Sequence, residues 1–109
     1  MDVDSLLKTE LDGLGVPVER LKYSGRAACF ILYQLVVGRD TLFSDDEEGA
    51  REYIYQIHIY SKRDYLTLLQ KMKARLKAAG FYGFVIEAET YEPDTGYYHI
   101  PIEIKYMEV

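Results

Sequence analysis

Residues 51–80 read REYIYQIHIYSKRDYLTLLQKMKARLKAAG, and the hydrophobic period changes once inside this stretch. Tyr53, Tyr55, Ile57 and Ile59 alternate with Ile54, Gln56, His58 and Tyr60, the two-residue period of a strand with one buried face. At Ser61 the alternation stops. Ser61 followed by Asp64 has the form of a capping box, whose hydroxyl and carboxylate accept from backbone N–H groups of a first helical turn, so a helix is predicted to begin there. Tyr65, Leu69, Met72, Leu76 and Ala79 then recur three and four apart as one helical stripe, widened by Leu66 and Leu68. Gly80 closes the run, as expected of a residue that must take positive φ after a helix. Neither element buries its stripe alone, so the helix is expected to fold back over the strand's apolar face. This unit is a core rather than a site.

The flanking segments extend the same pattern. Val3, Leu7, Leu11 and Leu14, with Leu6 beside them, form a helical stripe opened by Asp2 or Asp4 and closed by Gly13 or Gly15. Pro17 forces an extended exit toward a short first strand over residues 18–23, ended by the Ser24-Gly25 turn. Residues 27–37 are apolar on both alternating sets, which predicts a central strand. A loop follows, with four consecutive acids, Asp45, Asp46, Glu47 and Glu48. After Gly80, residues 84–89 alternate as a strand leading to the turn Glu92-Pro93-Asp94-Thr95-Gly96. Tyr98, Ile100, Ile102, Ile104 and Tyr106 are expected to face the core, and Pro101, unable to donate to a ladder, points to an edge or a bulge. The predicted fold is therefore α+β: a two-layer, mostly antiparallel sheet of four to five strands with two helices on one face, in the order α-β-β-β-α-β-β.

The chain has 109 residues, which predicts a single domain over 1–109 burying about 65% of its unfolded surface. No apolar run approaches the roughly 20 residues of a membrane span. MDVDSLLKTE is acidic and lacks the features of a signal peptide, so the expected compartment is the cytoplasm. Cys29 is the only cysteine, which excludes an internal disulfide, and its apolar surroundings suggest a small buried hydrophobe. A net charge of −5 argues against a general nucleic-acid binder. Eleven tyrosines, with flat apolar bodies and polar tips, suit subunit contacts.

No phosphate-binding glycine loop, nucleophile elbow, HExxH or paired CxxC occurs, and no catalytic residue, metal or cofactor is expected. Gln56, His58, Tyr60, Glu87, Glu89, Tyr91, His99, Glu103 and Lys105 collect on the outward face of the predicted sheet. His58 and His99 could meet there across neighbouring strands, the minimum for an acid–base or metal site. The acids Asp45 to Glu48 lack the alternating ligands and central glycine of a calcium loop. Cations are dispersed around the second helix, and opposite its core stripe lie Thr67, Lys71, Ala74 and Ala78, small enough in the main to admit a neighbouring backbone.

With these features the chain resembles the small tail terminator, or tail completion, proteins of long-tailed phages and of prophages in Gram-positive bacteria. The resemblance rests on the strand YQIHIYSK at residues 55–62, the acidic residues before it, the helix carrying Leu69, Met72 and Leu76 and closing at Ala79-Gly80-Phe81, and DTGYYH at residues 94–99. It implies a subunit without an active site that assembles as a ring, commonly a hexamer, on the last turn of the tail tube. The ring would stop tube growth and present a surface to the head–tail connector protein. The expected location is the virion tail, assembled in the host cytoplasm, with DNA passing through the ring but not specifically bound. His58 departs from the acidic residue that the resemblance would place there. In such a ring Asp45 to Glu48 would project into the channel or onto a mating surface. Two other readings stay open: another neck or head-closure adaptor, and a small metal- or ligand-binding domain using His58 and His99.

Overall fold

The computed structural model describes residues 2–40 and 51–108. In chain order the elements are α1 (Val3–Asp12), β1 (Val18–Arg20), β2 (Cys29–Asp40), β3 (Arg51–Ser61), α2 (Leu66–Ala78), β4 (Tyr82–Ile86), β5 (Thr90–Glu92) and β6 (Tyr97–Glu108). They form a two-layer α+β structure. The sheet has six strands in the order β1-β2-β3-β6-β4, with β5 also pairing β6, rather than the four to five expected. Only β1 and β2 run parallel among the pairs. The extra strand is β5, which lies between the strand predicted over residues 84–89, observed as β4, and the turn at residues 92–96.

Both helices pack on one sheet face. Val3, Leu7 and Leu11 of α1 and Leu69, Met72 and Leu76 of α2 enclose Ile31, Tyr33, Tyr55, Ile57, Ile59, Ile100, Ile102 and Ile104, so the apolar set of each long strand is buried as the alternation predicts. Asp2 caps α1, its carboxylate accepting from the Ser5 N–H at 2.7 Å. Arg75 clips the helices together, donating to the Glu10 carbonyl at 2.9 Å and facing the Glu10 carboxylate at 3.3 Å.

The capping box expected at Ser61 does not form. Ser61 is the last residue of β3, fully buried and paired with both Cys29 and Tyr98, so the ladder holds it in extended conformation. Its hydroxyl instead donates to the Arg63 carbonyl at 2.8 Å and accepts from the Arg63 N–H at 3.2 Å. The Asp64 carboxylate accepts from the Leu66 N–H at 2.9 Å, a local turn that delays α2 to Leu66. Leu66 is thereby left out of the core stripe and is exposed, whereas Tyr65, Leu68 and Ala79 pack against it. At the other end Gly80 takes φ 104°. The Gly80 N–H bonds the Lys77 carbonyl at 3.0 Å and the Phe81 N–H the Leu76 carbonyl at 2.9 Å, which satisfies two of the last carbonyls and brings Phe81 back under the helix.

Register decides three further expectations. β2 is an internal strand between β1 and β3, as expected, but β3 is the middle of the sheet, and with the bulge between Leu35 and Val37 the residues Leu35 and Val36 are exposed. Pro101 lies in β6, an internal strand, opposite His58 of β3. Its carbonyl accepts from the Glu87 N–H, so its nitrogen also faces the β4 side, beside the irregularity between β4 and β5; the expected bulge is met, although the strand is not an edge. Finally, Glu87 bonds Pro101 while Thr90 pairs His99, so three steps along one chain match two on the other. The extra residue turns Tyr91 from the outward face to the helix side, where it pairs Tyr98; both rings are exposed.

Candidate functional site

The sheet face away from the helices is covered by no element among the described residues, and on it the side chains of β2, β3 and β6 line up in rows. Phe30, Tyr60 and His99 form one row, Leu32, His58 and Pro101 the next, and Gln34, Gln56 and Glu103 a third. Gln56, His58, Tyr60 and His99 are thus brought together, each half-buried.

Tyr60 and His99 are directly opposite and stack with ring centroids 4.3 Å apart and planes 5° from parallel. His58 is the diagonal neighbour of His99, and its Nδ1 lies 2.7 Å from His99 Nε2. Such a contact needs one nitrogen to donate and the other to accept, which two neutral rings provide and two imidazolium rings do not. Burial holds both imidazoles below their ordinary range, and for His58 the neighbouring His99 adds to the effect; Glu87 acts in the opposite sense on His58 and Glu92 on His99. The next row carries a chain of amides: Gln34 Nε2 donates to Gln56 Oε1 at 3.3 Å, and Gln56 Nε2 donates to the Glu87 carboxylate at 3.2 Å.

At the other end of this face Phe30 stacks on Tyr60 at 4.9 Å and touches Tyr23 and Tyr97 at 4.3 and 5.2 Å. Tyr97 donates to the Ala27 carbonyl at 2.7 Å, Tyr23 accepts from the Ala27 N–H at 3.1 Å, and Lys62 lies 4.8 Å over the Tyr97 ring. The result is a second apolar cluster that buries Phe30 without a helix above it. Sequence reading missed Tyr23, Phe30 and Tyr97 as members of this face. Their only signal was the position of Tyr23 and Tyr97 beside turns, which does not specify where their rings fold.

The arrangement holds shape better than it does chemistry. Cys29 is buried, and burial pushes its thiol up, away from the reactive thiolate. Among the described residues no group of three or more His, Cys, Asp or Glu is placed to hold a metal ion. A shallow groove of about 460 Å³ beside the start of α2 is lined by Lys62, Arg63, Asp64, Tyr65, Leu66, Glu89 and Tyr98, where cations and acids balance. No helix is long and apolar enough to cross a membrane among the described residues.

One similar chain comes from a virion. It belongs to the solved structure described as the virion of native gene transfer agent (GTA) particle, with a TM-score of 0.57, 10% sequence identity, and coverage of 97% of this chain and 93% of that one. At that identity the likeness is one of fold. No family model matches the chain, and no curated protein matches it.

Of the other sequence-predicted positions, Thr67, Lys71, Ala74 and Ala78 all lie exposed on the side of α2 opposite the core. Tyr91 is on the helix side of the sheet, as described above. Asp45, Asp46, Glu47 and Glu48 fall outside the described residues.

The histidine pair gives the site a measurable pH signature. The folded protein takes up protons at His58 and His99 less readily than the unfolded chain, whose histidines titrate near 6.5. Lowering the pH through that value protonates the unfolded chain first, so stability falls with pH until the folded-state values are passed. The drop in melting temperature between about pH 7.5 and about pH 5.5 is expected to be smaller in the His58→Gln/His99→Gln variant than in the parent. Equal drops in scanning calorimetry would show that the pair does not titrate differently on folding.

Proposed function

We propose that the chain is a structural subunit of a phage-like virion and acts as a tail terminator, forming a ring, commonly a hexamer, on the end of the tail tube. The observation that carries this is the likeness of fold, over nearly the whole of both chains, to a chain of a gene transfer agent virion. The resemblance of its strand, helix and turn patterns to tail terminators supplies the finer role. A face of stacked aromatics and amides without a nucleophile fits a surface made for contact, since flat, half-buried rings give contact area with little loss of side-chain freedom. In this reading the partners are other copies of the chain, the tube protein on one side and the head–tail connector on the other, and the working location is the virion tail. The acids Asp45 to Glu48 then face the channel or a mating surface, where negative charge repels passing DNA or selects a basic partner.

The test is to add the protein to tube protein from the same particle while it polymerises. Shorter tubes, each ending in a ring under electron microscopy, are the expected result; unchanged tube lengths would overturn the terminator role. A Cys29→Ala/His58→Gln/His99→Gln variant is expected to cap tubes as the parent does. If it folds but loses capping together with a stoichiometrically bound metal, the ligand-binding reading replaces this one.

A further inference from the structure

Exposed apolar side chains are concentrated on the two lateral edges of the sheet. Leu21, Leu35 and Val36 are 63%, 40% and 51% exposed along the β1–β2 edge, and Tyr82, Val85 and Ile86 are 39%, 49% and 48% exposed along β4. Isolated exposed hydrophobics are ordinary, but a row of them on a strand edge that also presents unpaired N–H and C=O groups is a template for another strand.

Both edges are open for identifiable reasons. β1 pairs β2 only from Ile31 to Tyr33, so among the described residues β2 has no strand on that side from Gln34 onward. It is Leu21 that ends β1, taking φ 69° while the Lys22 N–H bonds back to the Arg20 carbonyl at 2.8 Å. A leucine at positive φ is uncommon and costs free energy, so the sharp departure is imposed on the sequence rather than preferred by it. At the other side β4 is the outermost strand, and the chain continuing from it into β5 lies along the same edge of β6.

The two edges carry opposite charge. Residues 18–26 hold three cations, Arg20, Lys22 and Arg26, against one acid, whereas residues 82–96 hold four acids and no cation. Their strand directions are also compatible. β6 runs with β2, because each is antiparallel to β3, and β4 runs against β6. Hence β4 of one molecule lies antiparallel to β2 of an identically oriented neighbour.

We infer that the occupant of each edge is a second copy of this chain: the β4–β5 edge of one subunit adds to the β1–β2 edge of the next. The apolar rows meet, and the acidic segment over residues 87–94 runs along the basic segment over residues 20–26. Like edges repel, acid against acid and base against base, so association is head to tail rather than two-fold. A head-to-tail contact repeated by rotation closes into a ring, and in this respect the inference rests on the ring reading and names the surfaces that build it.

The test uses two variants at exposed positions, Ile86→Lys on one edge and Val36→Lys on the other, with mass measured by light scattering after size exclusion. The parent is expected to form oligomers larger than a dimer. Each variant alone is expected to be monomeric, and a 1:1 mixture to stop at dimers, because one intact edge of each kind remains and the two lysine-bearing edges repel. Dimers in the mixture also show that both variants are folded. The inference is overturned if either variant assembles like the parent, if the mixture stays monomeric, or if the parent is monomeric up to about 1 mM. Tube capping is scored separately: a parent that caps tubes as a ring but is unaffected by these substitutions keeps its function and loses this interface.

Discussion

Replacing Ile57 by alanine is expected to destabilise the protein by about 4 kcal/mol. Ile57 is fully buried in β3, the middle strand, between Tyr33 of β2 and Ile102 of β6, and both helices contribute to the cluster around it. Truncation removes three carbons from a site whose neighbours are held by ladders on two sides, so the cavity cannot collapse, and alanine is also a poorer strand residue. A domain of this size is stable by only about 5–15 kcal/mol, so the midpoint of thermal unfolding should fall by about 15–30 °C. A urea-derived loss below about 1 kcal/mol would mean that the helices do not close over β3, and the two-layer packing would have to be abandoned.

Gly80→Ala is the second large effect, expected to cost about 2 kcal/mol through the backbone rather than the core. Gly80 sits at φ 104°, and an added Cβ would lie 3.2 Å from the ring of Tyr106. To relieve the strain the chain would have to give up the two hydrogen bonds that end α2 and return Phe81 to the core. Gly15 is the control: its φ is 79°, but nothing lies within 4 Å of the position of an added Cβ. Gly15→Ala should therefore cost only about 1 kcal/mol. Equal losses for the two substitutions in chemical denaturation would show that the approach of Tyr106 contributes nothing at Gly80.

The sequence by itself determined the inward set of the sheet and both helices. Ile57, Ile59, Ile100, Ile102, Ile104, Leu69, Met72 and Leu76 are all buried where the two- and three-to-four-residue periods place them, because burial acts on each side chain locally and independently. Gly80 was legible for the same reason, since positive φ after a helix is a demand on one residue. The approach of His58 and His99 could also be anticipated, as both fall on the outward set of strands long enough to be neighbours.

Only the tertiary structure decided what depends on counting across strands. Ser61 carries a helix-capping pattern, but its pairing with Cys29 and Tyr98 on two different strands outweighs a local cap worth about 1 kcal/mol. One extra residue between Glu87 and Thr90 sends Tyr91 to the opposite face and places the missing donor of Pro101 beside an irregularity of the ladder; no alternation pattern within either strand records it. Likewise, the early end of β1 at Leu21 exposes the upper part of β2, while the split of β4 from β5 shapes the other edge. A strand's own residues specify which of its faces is buried, but its partner, and hence which edges stay open, is set by contacts between segments far apart in the chain.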